Sequence, residues 1–177
     1  MAVITGGRLL EGSTRGYASA GAPSAGTSEV QTLTFGGTPT GGTFKLTFEG
    51  FTTAAITWNS TNATLVSNID TALEALPNIG TGGVTTAVGT MTAGIGTITV
   101  TFAGNLGTKA VGTMSVANNS MTGTAPTLAV AKTTPGVDAS GRGAAAGATL
   151  TDTTNGKLYI NTGTANSPTW TVVGSQT

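Results

Sequence analysis

The chain contains no cysteine and no histidine, and charge is scarce: charged residues fill 8% of its 177 positions, against about 25% in an ordinary globular domain. Without cysteine there is no disulfide framework and no thiolate chemistry. Without histidine the commonest general base and a leading metal ligand are missing. Together these absences remove zinc-type sites and the Ser-His and Cys-His nucleophile pairs. Serine-lysine catalysis has no foothold either, since no serine stands three residues before a lysine and no glycine-framed nucleophile elbow occurs.

The seven basic and seven acidic residues are scattered and give zero net charge. No basic block exists to displace counterions from a phosphate backbone, so nucleic-acid binding is not expected. The opening residues lack the apolar stretch of a signal peptide, and no apolar run approaches the ~20 residues of a membrane span. The expectation is a chain made as a soluble protein, with no membrane partner.

The carboxylates are Glu11, Glu29, Glu49, Asp70, Glu74, Asp138 and Asp152. Asp70 and Glu74 share a helix face at i,i+4 but lie off its apolar stripe, which reads as a solvated face rather than an acid-base pair. Asp138 and Asp152 lack the spaced acids of a calcium loop. Gly104 to Lys109 has the wrong order for a phosphate loop, and Gly156-Lys157 belongs to a hairpin turn. No catalytic, cofactor-binding or metal-ligating residue is therefore expected, and the chain reads as a non-enzyme.

What fills the chain instead is threonine together with 28 glycines. Threonine is β-branched and suits strands, while glycine suits turns. Leu33 and Phe35 alternate with threonines, Phe44, Leu46 and Phe48 with Thr43, Lys45 and Thr47, then Ile56 and Trp58 flank Thr57, and Ile98, Val100 and Phe102 alternate with threonines. Period-two alternation places an apolar face on a core and a threonine face outward. Gly36-Gly37, Gly41-Gly42 and Gly50 read as turns between these runs. Val111–Val116 and Leu128–Val130 read as weaker strands.

One segment has another period. Leu65, Ile69, Leu73 and Leu76 recur at helical spacing, with Ser60 or Asn62 as candidate caps and Pro77 with Gly80 as the stop. The fold class is therefore α+β, mainly β: a small sheet module with one packed amphipathic helix, an extended N-terminal arm and a short C-terminal β-hairpin tail. The organisation reads as an arm at 1–28, a β-rich module at 29–134 with its helix near 62–76, a linker at 135–148 and a β tail motif at 149–177. In the tail, Asn155-Gly156 is a two-residue hairpin signal, followed by a strand at Trp170–Val173.

Candidate partner-contacting residues are the few adhesive side chains of the arm, Ile4, Arg8, Leu9, Leu10, Arg15 and Tyr17, and two aromatics of the tail. Tyr159 is out of phase with Leu158 and Ile160 and is expected to face solvent or a partner. Trp170 suits either the core of the tail or an interface anchor.

The residues also carry a resemblance. GTFKLTFEGF at 42–51, TALEALPNIG at 71–80 and ITVTFAG at 98–104 stand in the order of a module common in virion proteins of tailed bacteriophages, especially those of actinobacteria. The tail, GKLYINTGTANSPTWTVVG at 156–174, resembles a short motif at the ends of phage head-decoration and head-fibre proteins. The resemblance covers roughly three quarters of the chain; similar modules occur as repeats in large bacterial surface proteins. It implies a capsid decoration protein that binds a major capsid protein on the outer surface of the virion, as a homo-oligomer and by analogy a trimer, after synthesis in the host cytoplasm. A tail-fibre or receptor-binding component and a secreted adhesion module are the alternative readings.

Overall fold

The computed structural model describes residues 16–19, backbone only, and 21–174. The chain is mainly β, with a single packed helix and a short C-terminal hairpin. It divides into two compact units, Gly26–Asp138 and a second that joins the residues before Gly26 to the C-terminal stretch from Ala139. The segment read as a linker at 135–148 thus falls partly in each unit, and Ala139, Ala144 and Ala148 are buried.

The larger unit is organised by two long strands, β2 (Val30–Phe48) and β7 (Ser115–Thr134), which pair antiparallel along almost their whole length. On its other edge β2 carries β6 (Ile95–Phe102) beside Val30–Phe35, and the short β4 (Ile56–Thr57) and β3 (Phe51–Thr52) beside Thr43–Phe48. Strand β5 (Val84–Thr92) pairs with β6 and ends the sheet on that side. A short 3-10 turn at Gly104–Leu106 follows β6.

The expected alternation explains why these strands form one core. Leu33, Phe35, Phe44, Leu46, Phe48, Ile98, Val100 and Phe102 are all essentially inaccessible. The Phe35 and Phe44 rings meet edge-on at 5.4 Å, and Phe48 lies 4.9 Å from Phe102. Strand β2 must therefore bend between its halves, bringing Phe48 near the far end of the same strand. Gly36-Gly37 and Gly41-Gly42 serve that bend. They were expected to end strands, and instead β2 runs through them. Their positive φ values, 73° at Gly37 and 87° at Gly42, sit beside register shifts in the β2–β7 ladder. Glycine's freedom is used here for a ribbon irregularity rather than for chain reversal. Gly50, by contrast, does lie in a turn.

Opposite this bend, Gly123 has φ 127° and packs directly on the backbone of Thr38–Thr40. Gly123→Ala is expected to cost about 2 kcal/mol or more, through strain and backbone collision. Gly21→Ala, where a methyl group meets nothing within 4 Å, should change stability by less than about 0.5 kcal/mol. Thermal unfolding of the two variants gives the comparison.

Helix α1 (Asn62–Glu74) lays Leu65, Ile69 and Leu73 on the sheet, with Leu76 buried just beyond its end. Its cap position is Thr61, where no side chain makes a capping bond among the described residues. Asn62, one of the expected caps, instead accepts from Gly94 N at 2.9 Å and donates to Met91 O at 3.1 Å. The β5–β6 turn is thereby tied to the helix start. Trp58 adds a third tie, donating from Nε1 to Gly94 O at 3.1 Å.

In the smaller unit, β8 (Thr149–Asp152), β9 (Lys157–Asn161) and β10 (Trp170–Val172) form an antiparallel sheet. A fourth strand, β1 (Gly16–Ser19), adds to it parallel to β8. The segment from 16 to 19, expected within an extended arm, is thus a strand of this sheet.

Candidate protein-interaction surfaces

Three of the sequence-predicted contact residues, Tyr17, Tyr159 and Trp170, fall among the described residues. Ile4, Arg8, Leu9, Leu10 and Arg15 lie outside the described residues. Tyr17 occupies β1, its backbone in register with Leu150.

Tyr159 corrects the sequence reading. It is 8% exposed, while its neighbours Leu158 and Ile160 are half-buried. Cross-strand partners share a face of a sheet, and Tyr159 stands opposite Leu150, which is 1% exposed. The inner face is therefore Leu150, Asp152, Tyr159 and Asn161; two of its positions are polar, which concealed the phase. Trp170 is half-buried and donates from Nε1 to Ser140 O at 2.7 Å, with its ring against Gly141. It anchors the turn that opens the C-terminal stretch.

Four buried polar residues hold the two units' loops, and none was singled out from the sequence. In the larger unit, Glu29 Oε1 accepts from Gln31 Nε2 at 2.6 Å, and Oε2 accepts from Lys132 Nζ at 2.7 Å and Val111 N at 3.2 Å. Gln31 in turn donates to Gly112 O and accepts from Met114 N at 2.7 Å. The stretch from Val111 to Met114, read as a strand, is thus a loop held by side chains, and β7 begins after it. In the smaller unit, Asn161 Nδ2 donates to Ala144 O at 2.7 Å, and its Oδ1 accepts from Gly163 N and Thr169 N at 2.9 Å each. Asp152 accepts from the backbone of Thr154 and Asn155 and from the Asn155 side chain, closing the β8–β9 turn.

Both carboxyls are held below their ordinary values. Burial pushes Glu29 up, but the bonds from Lys132, Gln31, Val111 and Gly136 together outweigh it. For Asp152 the Asn155 side chain is the largest influence, opposed by burial and reinforced by the Asn155 and Thr154 amides and the Lys157 charge. A carboxyl with a depressed folded pKa binds its proton more readily when unfolded, so its stabilisation is complete at neutral pH. That stabilisation is lost as pH falls below about 4 and through the folded values. Denaturant titrations at pH 7 and pH 3 should show lower stability at pH 3; an unchanged midpoint would contradict both assignments.

Asp70 and Glu74 are not simply solvated. Asp70 Oδ1 accepts from Thr86 Oγ1 at 2.7 Å, and Glu74 Oε1 accepts from Gly82 N at 2.6 Å. They fasten the helix to β5 and to the turn before it. Beside them lies an open groove of about 330 Å³ lined by Ala63, Val66, Ser67, Asp70, Val84, Thr85 and Thr86. Among the described residues no group of three or more acidic side chains gathers as a metal site, and no helix is long and apolar enough to cross a membrane.

A further surface of the larger unit carries no charge across two rows of its sheet. In register across β5, β6, β2 and β7 lie Ala87, Thr99, Thr32 and Ala131. The next row on β6, β2 and β7 is Thr97, Thr34 and Ala129. Side chains two apart along a strand share a face, so these positions form one surface of hydroxyls and methyls. Hydroxyls of Thr32 and Thr133 are 3.0 Å apart across it. Such a surface can be covered by another protein without stranding a charge.

No family model matches the chain, and no curated protein matches it at a significant level. Among solved structures, a chain from Mycobacterium phage Patience aligns over 84% of this chain at 17% identity, with a TM-score of 0.42. This chain spans 47% of the length of that one. A likeness at that level carries no argument for fold or function.

Proposed function

We propose that this chain is a capsid decoration protein, which binds the outer surface of a viral major-capsid shell and reinforces contacts between capsomers. The observation that supports this reading most is the neutral threonine and alanine face centred on Thr32 and Thr99, on a module whose sequence resembles those of phage virion proteins. A surface of small neutral side chains forms few strong pairwise bonds, and a shell presents its partner site many times. Repetition on a lattice then makes individually weak contacts sufficient. The chain would be made in the host cytoplasm and reside on the outer capsid surface.

Co-sedimentation of the full chain with undecorated capsids tests the reading. Saturable binding is expected, with Thr99→Lys weakening it about tenfold by placing a charge in the covered face. Failure to co-sediment at any practical concentration overturns it. Labelling that puts the protein at the tail rather than the head would favour a tail-fibre component. Glycan binding without capsid binding would favour an adhesion module.

A further inference from the structure

We propose that Asn155 is a site of one-way self-modification. When the β8–β9 turn opens, its carboxamide is lost to attack by the Gly156 amide, and the acid left behind keeps the turn from closing again. Among the asparagines of the chain, Asn155 is the one followed by glycine. A backbone nitrogen attacks with least hindrance when its own residue carries no side chain. Gly156 also stands in open space, where an added Cβ meets nothing within 4 Å, and both residues of the pair are exposed.

The step needs no partner but water. The Gly156 nitrogen bonds to Asn155 Cγ and gives up its proton. The Cγ–Nδ2 bond breaks, and Nδ2 leaves with that proton as ammonia. Water then opens the cyclic imide at either carbonyl. One opening leaves an aspartate at 155, and the other leaves its β-linked isomer, with an extra carbon in the backbone of the turn.

The folded turn restrains this chemistry. Asp152 is fully buried and accepts from Asn155 Nδ2 at 2.7 Å, from Asn155 N at 3.0 Å and from Thr154 N at 2.9 Å. The nitrogen that has to leave is therefore held by a carboxylate. Releasing it breaks a charge-assisted hydrogen bond, so conversion waits on local opening of the turn. The product reverses the sense of the contact. An aspartate at 155 offers an acceptor where Asp152 requires a donor, and like charges that close cannot both ionise. The Lys157 charge, which acts on Asp152, is then shared between two carboxylates. Strands β8 and β9 are the inner pair of the four-stranded sheet. A turn that stays open therefore loosens the strands that carry Leu150 and Tyr159, both buried. This inference rests on the turn alone and does not depend on the capsid reading.

Incubation of the full chain at neutral pH, followed by peptide mapping by mass, reads the conversion directly. Asn155 is expected to convert ahead of the other asparagines. Asp152→Ala should speed it about tenfold or more, by removing a hydrogen bond to a charged group. In the wild type the rate should rise with sub-denaturing urea in step with amide exchange across 153–158, a reading that does not depend on a variant folding. In the unfolded chain Gly156→Ala should slow the conversion, as attack by that amide requires. Asn155→Asp should lower the hydrogen-exchange protection of β8 and β9 and leave β2 and β6 as they are. An Asn155 that converts no faster than the other asparagines in the unfolded chain overturns the site. A folded-state rate indifferent to both Asp152→Ala and urea overturns the restraint, and wild-type protection in Asn155→Asp overturns the one-way step.

Discussion

Glu29→Ala is expected to lower the stability of the larger unit by about 3 kcal/mol, toward the lower end of the cost of breaking a buried ion pair. Glu29 is fully buried, whereas the Lys132 side chain is 32% exposed. After truncation, Lys132 can turn to water and recover part of its solvation. The amide of Val111 and one donor of Gln31 lose their acceptor and remain enclosed, each a cost of about 1–3 kcal/mol if water does not reach it. Loosening of Val111–Met114 should accompany the loss. Glu29→Gln should cost less, since it keeps the shape and one acceptor. Pairing Glu29→Ala with Lys132→Met should recover part of the deficit, because no unmatched charge remains. Denaturant unfolding of these proteins together with Lys132→Met alone checks this, and additive costs for the two substitutions would refute the coupling.

Asn161→Ala has the second large expected effect, and it is local. The side chain is 1% exposed and holds Ala144 O, Gly163 N and Thr169 N at once. No water replaces these bonds readily in a site packed to that degree, so a loss of about 3 kcal/mol or more is expected. The smaller unit has little apolar burial to offset it, with Leu150 and Tyr159 its largest buried hydrophobic side chains. Amides of β8, β9 and β10 should lose protection from hydrogen exchange while those of β2 and β6 retain it. Uniform loss across both units would show a cooperativity that the division of the chain does not suggest.

The local part of this fold was legible in the sequence. Leu33, Phe44, Ile98 and their alternating neighbours disclosed strands and an inner face, because each pattern is complete within a few residues. The stripe from Leu65 to Leu76 disclosed the helix for the same reason. The pairing of β2 with β7 was not legible, since nothing local marks two segments so far apart as partners. Glycine couplets misled for a physical reason: positive φ serves a turn and a ribbon irregularity equally.

The buried polar residues did leave a signal. Glu29 and Gln31 stand in phase with Leu33 and Phe35, and Asp152 stands in phase with Leu150. Extending the alternation through polar positions places all of them inward. Composition argued against that step, because buried charge is exceptional unless paired. The candidate surfaces were partly legible: threonine alternation pointed to a neutral outer face, while the rows that build it across four strands became visible only with the pairing in place.

The parallel pairing of Gly16–Ser19 with Thr149–Asp152 has a consequence for the order of events during synthesis. Strand β1 emerges from the ribosome well before its partner, with the whole of the larger unit made in between. At about 5–20 residues per second the delay is on the order of ten seconds. Through that interval the larger unit can complete its sheet, since all of its strands precede Asp138. The smaller unit cannot close until β8 has been made. A nascent chain arrested before β8 should therefore carry a protease-resistant core and a cleavable N-terminal segment, and release of the full chain should protect that segment.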